Sequence, residues 1–334
     1  MKTAIATLAL AAAIGSAHAQ NTPQSVDSLI DRAVEWRLMG NPREAASILT
    51  RLLDDEPSQR LVYELAAAHF DMGNTTLAQS QTERAARMGG DYTYDAELLS
   101  ARCRELHGFT SKARKTYLKL LSDKRYTSGK AGYYYARMLY NNHKSDEAVE
   151  QLQRSILTDR TLPEAHLLLA TIMAERGERF HSMLPLYYFL LISDDSETKT
   201  LAYKQLVLLW KHSGQPWHPL SPKPRLASFD EKVETMIAVI SPNDSLSVLT
   251  GAQAIEGLYD RTRQLFEYLL ETSENNLDFW QVVYTDFFVT LLPRNFLLPY
   301  IYHISNDVYH TEVLTWIAQN PYLFNEFSLW MEAQ

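Results

Sequence analysis

One small residue recurs at nearly constant spacing through the first two thirds of the chain. Its successive positions lie 33, 35, 35 and 34 residues apart, and they are Ala45, Ala78, Ala113, Ala148 and Ser182. A fixed period near 34 residues is typical of stacked helix–turn–helix units. The spacing therefore predicts a run of helical hairpins between about Asp27 and Ile192.

A second marker keeps the same period, with an alanine seven residues before a turn residue. The pairs are Ala33–Gly40, Ala66–Gly73, Ala101–Gly108, Ala136–His143 and Ala170–Gly177. We expect each alanine on the first helix of a hairpin and each glycine, or the histidine, in the turn. Helix axes that pack at the short end of the usual 8–10 Å separation need small residues at the crossing.

The first hairpin shows the pattern in detail. Its helices are predicted over Val26–Met39 and Arg43–Leu53, separated by a turn that contains Pro42 next to the second helix. Proline is well tolerated there because the first helical N–H groups have no intrahelical partner. The spacing of Leu29, Ala33 and Trp36 predicts that these three share the buried face of the first helix.

These residues resemble a tetratricopeptide repeat protein of the exported bacterial type. The likeness covers about Asp27 to Gly214 and implies an all-α, right-handed α-solenoid of five to six units, with Lys199–Gly214 as an incomplete sixth unit or cap. Three positions depart from the pattern, namely Arg104, His143 and Ser182. The second unit carries the motif as Leu65, Ala66, Phe70, Gly73-Asn74, Ala78 and Ala85.

Composition divides the chain into four segments. Residues 1–19 have the layout of a signal peptide, with Lys2 before a short apolar run and Ala17-His18-Ala19 as the cleavage site. We therefore expect export to the periplasm or the medium. The solenoid occupies 20–214, a connector with four prolines occupies 215–228, and an aromatic-rich helical cap or domain occupies 229–334.

The C-terminal segment is helical in texture but has no repeat. The stretch Phe287–Ile304 is apolar enough to suggest a membrane span. Pro293, Arg294, Asn295 and Pro299 interrupt it, so we expect no spanning helix. The predicted helices are Asp230–Ile240, Ala252–Ser273, Leu277–Leu292, Phe296–Ile304, Thr311–Gln319 and Leu323–Met331.

Charge is distributed unevenly along the chain. Residues 230–334 hold four Lys/Arg against fifteen Asp/Glu, a net of −11, whereas residues 102–137 hold ten against two, a net of +8. The basic stretch consists of Lys112, Arg114, Lys115, Lys119, Lys124 and Arg125. It is either a solvated helix face or a docking site for an acidic surface, such as the protein's own C-terminal domain. An acidic, exported protein is not expected to bind nucleic acid.

The repeat resemblance implies a concave inner face that is lined by the first helix of each unit. Aromatic rings mixed with arginine suit recognition of a peptide or protein, because both residue types give large contact areas and directional bonds. The predicted partner-binding residues are Arg60, Tyr63, Phe70, Arg102, Glu105, Lys130, Tyr133, Arg137, Tyr140 and Asn141, with Glu164 and Thr171 beside them.

No residue set in the sequence predicts catalysis, a cofactor or a metal site. His303 and His310 flank Asp307, but packing explains such rings better than metal binding, and Cys103 is expected to be a small buried residue. The sequence favours a non-catalytic binding scaffold of the cell envelope. Two alternatives stay open: a carbohydrate-binding or enzymatic C-terminal domain with the solenoid as spacer, and a structural homo-oligomer.

Overall fold

The computed structural model describes residues 25–53, 57–211, 228–241, 246, 249–272 and 277–333. These residues form an all-α helical-repeat fold, and no strand occurs among them. They divide into two compact units, one ending at Thr127 and one beginning at Ser128. The predicted signal peptide and all of the predicted connector except Ser228 lie outside the described residues, so the four-segment division stays a prediction.

The first unit contains three hairpins in which each helix packs on the next. Its six helices are α1 Val26–Leu38, α2 Pro42–Leu52, α3 Gln59–Asp71, α4 Thr75–Met88, α5 Thr93–Leu106 and α6 Thr110–Ser122. The helices predicted for the first hairpin are confirmed within a residue at each end. Pro42 is the first residue of α2, as its missing N–H predicts.

The second unit begins with two more hairpins and a further helix. These are α7 Lys130–Asn141, α8 Ser145–Thr158, α9 Pro163–Glu175, α10 Arg179–Ile192 and α11 Ser196–Trp210. The aperiodic part then supplies α12 Ser228–Ile240, α13 Gly251–Thr272, a π-helical segment Gln281–Thr285, α14 Asp286–Val289, α15 Leu297–Ser305, α16 His310–Gln319 and α17 Pro321–Glu332. The helix predicted over Leu277–Leu292 is observed over 279–289, shorter at both ends and with a π-helical centre.

The repeated small residues all lie at helix contacts. Every alanine of both markers has 0% of its surface exposed, and so does Ser182. The serine compensates for its polarity because its Oγ donates a 2.9 Å hydrogen bond to the carbonyl of Ala170, the alanine of the facing helix. The predicted role of the small-residue slot is therefore confirmed in all five hairpins.

The turn residue of each hairpin adopts a left-handed backbone. Gly40, Gly73, Gly108 and Gly177 have φ between 74° and 81°, and His143 has φ 58°. At all five turns the next residue donates its N–H to the carbonyl five positions earlier, as Asn74 does to His69. This bond closes the helix end. Glycine accepts the conformation without strain, and His143 accepts it at a cost.

The predicted buried face of α1 is partly wrong. Trp36 has 40% of its surface exposed, whereas Ile30 and Ala33 are fully buried against α2 and α3. The packed stripe therefore runs through Ile30, Ala33 and the half-buried Val34, which places Trp36 outside it.

Helix α10 is the centre of the second unit. The residues of α10 from Phe180 to Leu191 are buried except for the half-buried Tyr188. The buried Tyr187 hydroxyl lies 2.6 Å from Thr262 Oγ1 and accepts a 3.0 Å bond from the Trp210 indole. The backbone carbonyl of Tyr187 accepts a 3.0 Å hydrogen bond from the Tyr300 hydroxyl. One residue of the last hairpin thus joins three helices outside that hairpin.

A buried histidine makes a second link of this kind. His166 on α9 lies 2.7 Å through Nδ1 from the Tyr284 hydroxyl of the π-helical segment, and 3.0 Å through Nε2 from the carbonyl of Arg160. Its ring stacks on Tyr188. Burial lowers the pKa of His166 to about 4, because the charged imidazolium would lose its hydration.

The aromatic residues of the C-terminal segment mostly build this core. Tyr284, Phe288, Tyr300 and Phe327 are buried, and Phe288 stacks on Phe266. A buried ion pair of 2.8 Å between Lys199 and Asp307 adds a polar link from α11 to the turn before α16. Most of the aromatic rings of this segment are therefore used for packing.

We expect the turn position to respond in opposite ways in two hairpins. Gly73→Ala should lower the free energy of unfolding by about 1 kcal/mol, because alanine is strained at positive φ although no atom lies within 4 Å of the added methyl. His143→Gly should raise it by up to about 1 kcal/mol. Urea unfolding measures both changes. If the two free energies of unfolding changed in the same direction, the assignment of both positions to left-handed turns would be contradicted.

His166 should make the protein sensitive to acid. A histidine binds its proton near pH 6.5 when unfolded and near pH 4 here, so the unfolded state takes up the proton first and stability falls as pH drops through that window. From about pH 7 down to about pH 4.5, we expect the free energy of unfolding of His166→Gln to fall by roughly 2 kcal/mol less than that of the wild type. The exposed His310→Gln serves as the control and should follow the wild type.

Candidate functional site

The ten predicted partner-binding residues all lie on the first helices of hairpins. Five belong to α3 and α5 in the first unit, and five belong to α7 in the second. The two groups are therefore two surfaces, which we call the α3–α5 face and the α7 face. The α3–α5 face consists of Arg60, Tyr63, Phe70, Arg102 and Glu105, and the α7 face of Lys130, Tyr133, Arg137, Tyr140 and Asn141.

Three members of the α3–α5 face are built around one small apolar cluster. Tyr63 and Phe70 are half-buried against Ala66, Ala67 and Leu99. The Arg102 guanidinium lies 4.3 Å from the centre of the Phe70 ring, a cation–π contact. The Tyr63 ring lies 5.4 Å from the ring of Tyr92. These residues thus form an apolar surface with the Arg102 guanidinium at its edge.

Charged residues on and beside the α3–α5 face form ion pairs that were not predicted from the sequence. Arg60 forms an ion pair with Asp31, and Arg37 bridges Glu64 and Asp71 at 3.3 and 3.1 Å. Burial raises the pKa of Glu64, and Arg37 opposes that rise. The signal was present in the spacing, because Arg37 and Asp71 are 34 residues apart and so occupy neighbouring units.

Glu105 makes a structural contact that was not predicted from the sequence. It accepts a 3.0 Å hydrogen bond from the hydroxyl of Tyr117, which is fully buried on α6. The carboxylate thereby links the two helices of its own hairpin. Its part in partner binding stays a prediction, and its structural contact is a finding.

The α7 face gathers rings and one guanidinium on a single helix. Arg137 lies 5.9 Å from the Tyr133 ring centre and 4.9 Å from that of Tyr134. Tyr133 and Tyr134 are half-buried with ring centres 5.0 Å apart, while Lys130 and Asn141 at the two ends of the helix are exposed. Burial also raises the pKa of Tyr133, which Arg137 partly offsets.

Tyr140 is oriented by the next hairpin. Its hydroxyl donates a 2.6 Å hydrogen bond to Glu175 of α9, 35 residues away. That bond raises the pKa of Tyr140 to about 12, since loss of the proton would place two negative charges together. Of the two flanking residues, Glu164 is exposed and Thr171 donates to the carbonyl of Leu167.

The basic stretch on α6 is partly neutralised within its own unit. Lys119 reaches both oxygens of Glu97 at 2.6 and 2.8 Å, and Arg125 pairs with Asp123. Lys112 lies 5.2 Å from the Phe109 ring centre. The stretch thus offers a partner less positive charge than its composition indicates. Lys115, Arg114 and Lys124 are exposed.

The departure at Arg104 is also explained. Its guanidinium pairs with Glu83 at 3.1 Å and donates to Thr116 at 3.0 Å, so an ion pair occupies the slot where a large apolar residue is common. Arg104 lines a polar groove together with Glu83, Glu97 and Lys119.

The remaining candidates have structural surroundings. Cys103 is buried as predicted, and burial raises the pKa of its thiol to about 11. His303 is half-buried with one nitrogen 3.3 Å from the carbonyl of Leu191, and His310 lies 3.0 Å from Asn306. Within the described ranges no group of three acidic, histidine or cysteine side chains could hold a metal, and no helix is long and apolar enough to cross a membrane.

Comparison with known proteins gives a fold likeness at low similarity. No protein-family model and no curated protein matches the chain. The crystal structure of MamA is similar over 53% of this chain and 98% of its own, with a TM-score of 0.38 and 14% identity. The MamA RS-1 ArsTM double mutant is similar over 55% and 93%, with a TM-score of 0.37 and 12% identity. Function must therefore be argued from this chain's own residues.

The contact of Glu105 predicts a structural phenotype. Glu105→Ala should lower the free energy of unfolding by about 2 kcal/mol, because it removes a charged acceptor from the buried Tyr117 hydroxyl. The exposed Glu164→Ala should change it by less than about 0.5 kcal/mol. Denaturant unfolding of both variants decides the matter, and a Glu105 variant as stable as wild type would refute the contact.

Proposed function

We propose that this protein is a non-catalytic scaffold or adaptor of the cell envelope that binds a peptide or protein segment through the first-helix faces of its hairpins. The observation that carries the proposal is the α7 face, where two half-buried tyrosines surround Arg137 between the exposed Lys130 and Asn141. The α3–α5 face supports it with the Phe70–Arg102 contact.

The physical basis is preorganisation. Rings that already lie against a guanidinium have few rotamers left to lose when a partner binds, so more of the contact energy appears as affinity. Tyr140 is held in place by Glu175 in the same way. On this proposal Tyr63, Phe70, Tyr133 and Tyr140 supply contact area, and Arg60, Arg102 and Arg137 orient the partner.

The cellular setting and the acidic partner are further parts of the proposal. The signal-peptide layout of residues 1–19 supports an exported, periplasmic or secreted protein. The exposed Arg114 and Lys115, with Lys112 and the paired Lys119, support docking of an acidic surface on α6. Such docking would weaken with ionic strength, because exposed charges are screened by salt.

Replacing both Arg137 and Tyr140 by alanine should remove the partner. Proteins that the immobilised wild type captures from a native periplasmic extract should bind the double variant at least about tenfold more weakly. The thermal unfolding of the variant should stay within a few degrees of wild type, since neither side chain is fully buried.

A matched control uses the same residue types elsewhere in the second unit. Arg154→Ala with Tyr322→Ala changes two exposed side chains on α8 and α17. It should keep wild-type capture. Capture that survives the α7 double variant would show that the face is assigned wrongly.

A further inference from the structure

A pocket in the second unit lies apart from the α7 face and has a different chemistry. The cavity itself is small, about 40 Å³, and it opens to solvent. Its walls combine the rings of Phe180, Phe229 and Trp280 with the carboxylates of Asp230 and Asp278. Aromatic walls with a few converging polar groups are typical of a ligand site.

The indole wall is held by a stacked ring. The Trp280 ring stacks on His181 with ring centres 4.2 Å apart and an interplanar angle of 13°. Trp280 is also the residue that leads into the π-helical segment Gln281–Thr285. Single π-helical turns inside helices occur frequently at functional sites.

The carboxylates are held in place as well. Asp278 accepts the backbone N–H of Gln281 at 2.8 Å, which fixes its side chain at the start of the π-helical segment. Helix α12, which supplies Asp230, is tied to α10 because Glu234 pairs with Arg179 at 3.0 Å and accepts the N–H of Phe180 at 2.8 Å. Both negative groups therefore belong to a fixed wall.

Carboxylates outnumber basic groups among the described residues that line the pocket. Arg179 lies nearby, but Glu234 already neutralises it. The only basic group among the described lining residues is His181, which lies 3.1 Å from Glu178 and 3.5 Å from Asp230. The surrounding segment from residue 230 onwards carries a net charge of −11. Such a field attracts cations and repels anions.

We propose that this pocket binds an alkylammonium group, either of a lysine side chain or of a free amine. The aromatic walls would cover its alkyl chain, and Asp230 and Asp278 would neutralise its charge. This proposal is independent of the partner-binding faces, because it uses none of their residues.

The test measures binding to the full mature chain by saturation-transfer NMR and by titration of the indole N–H signals. The cationic probes are N-acetyl-lysine methylamide and butylammonium, and the neutral probes are N-acetyl-norleucine methylamide and methyl glucoside. We expect both cations to bind at millimolar concentration and to shift the Trp280 signal. Binding of the lysine probe alone would identify a side chain as the source.

Charge-removing variants test the role of each carboxylate. Asp278→Asn and Asp230→Asn should each weaken binding of the lysine probe at least about fivefold. Asparagine at position 278 retains an acceptor for the Gln281 N–H, so the fold is preserved. The exposed Asp260→Asn is the control and should bind as wild type does.

Three results would overturn the proposal. Norleucine probe binding as tight as lysine probe binding would show a merely apolar pocket. Binding of the glucoside in place of the cations would show a sugar site. Absence of transfer to either cation at millimolar concentration would show that the pocket is no amine site.

Discussion

Close approach of helices at a single methyl group is the constraint on which the hairpins depend. Each of the five hairpins places a fully buried small residue on both of its helices, in the slots that begin with Ala33 and Ala45. A longer side chain there would force the helix axes apart and open the core. Ser182 satisfies the same constraint with a hydrogen bond to Ala170, so the slot requires small volume rather than alanine itself.

Residues set by this local geometry could be predicted from the sequence. The period located the hairpin turns, including the one where His143 takes the left-handed conformation in place of glycine. The same reasoning failed for Trp36 and did not foresee the contact of Glu105 with Tyr117, because a period cannot tell whether a side chain turns outwards or contacts a neighbouring helix. The π-helical segment lies where no period exists, so nothing in the sequence indicated it.

Aromatic residues serve two purposes in this protein. In the second unit Tyr187, Tyr284 and Tyr300 are buried, and their hydroxyl groups have partners among the helices around α10. Tyr133 and Tyr134 remain partly open beside Arg137. The composition of the sequence cannot distinguish these two groups of rings. Their hydrogen bonds and exposure separate the fully buried rings that stabilise the fold from rings that stay partly exposed.

The burial of α10 bears on how a protein of this kind could change its length. Repeat arrays gain and lose members by duplication, which requires that the duplicated hairpin meet another of its own kind on either side. The outer surface of α10 is covered by α12, α15 and the π-helical segment. Tyr187 forms hydrogen bonds with residues of α11, α13 and α15. A copy inserted after it would face a surface shaped for other helices. An added hairpin would therefore fit the packing before the fifth hairpin better than after it.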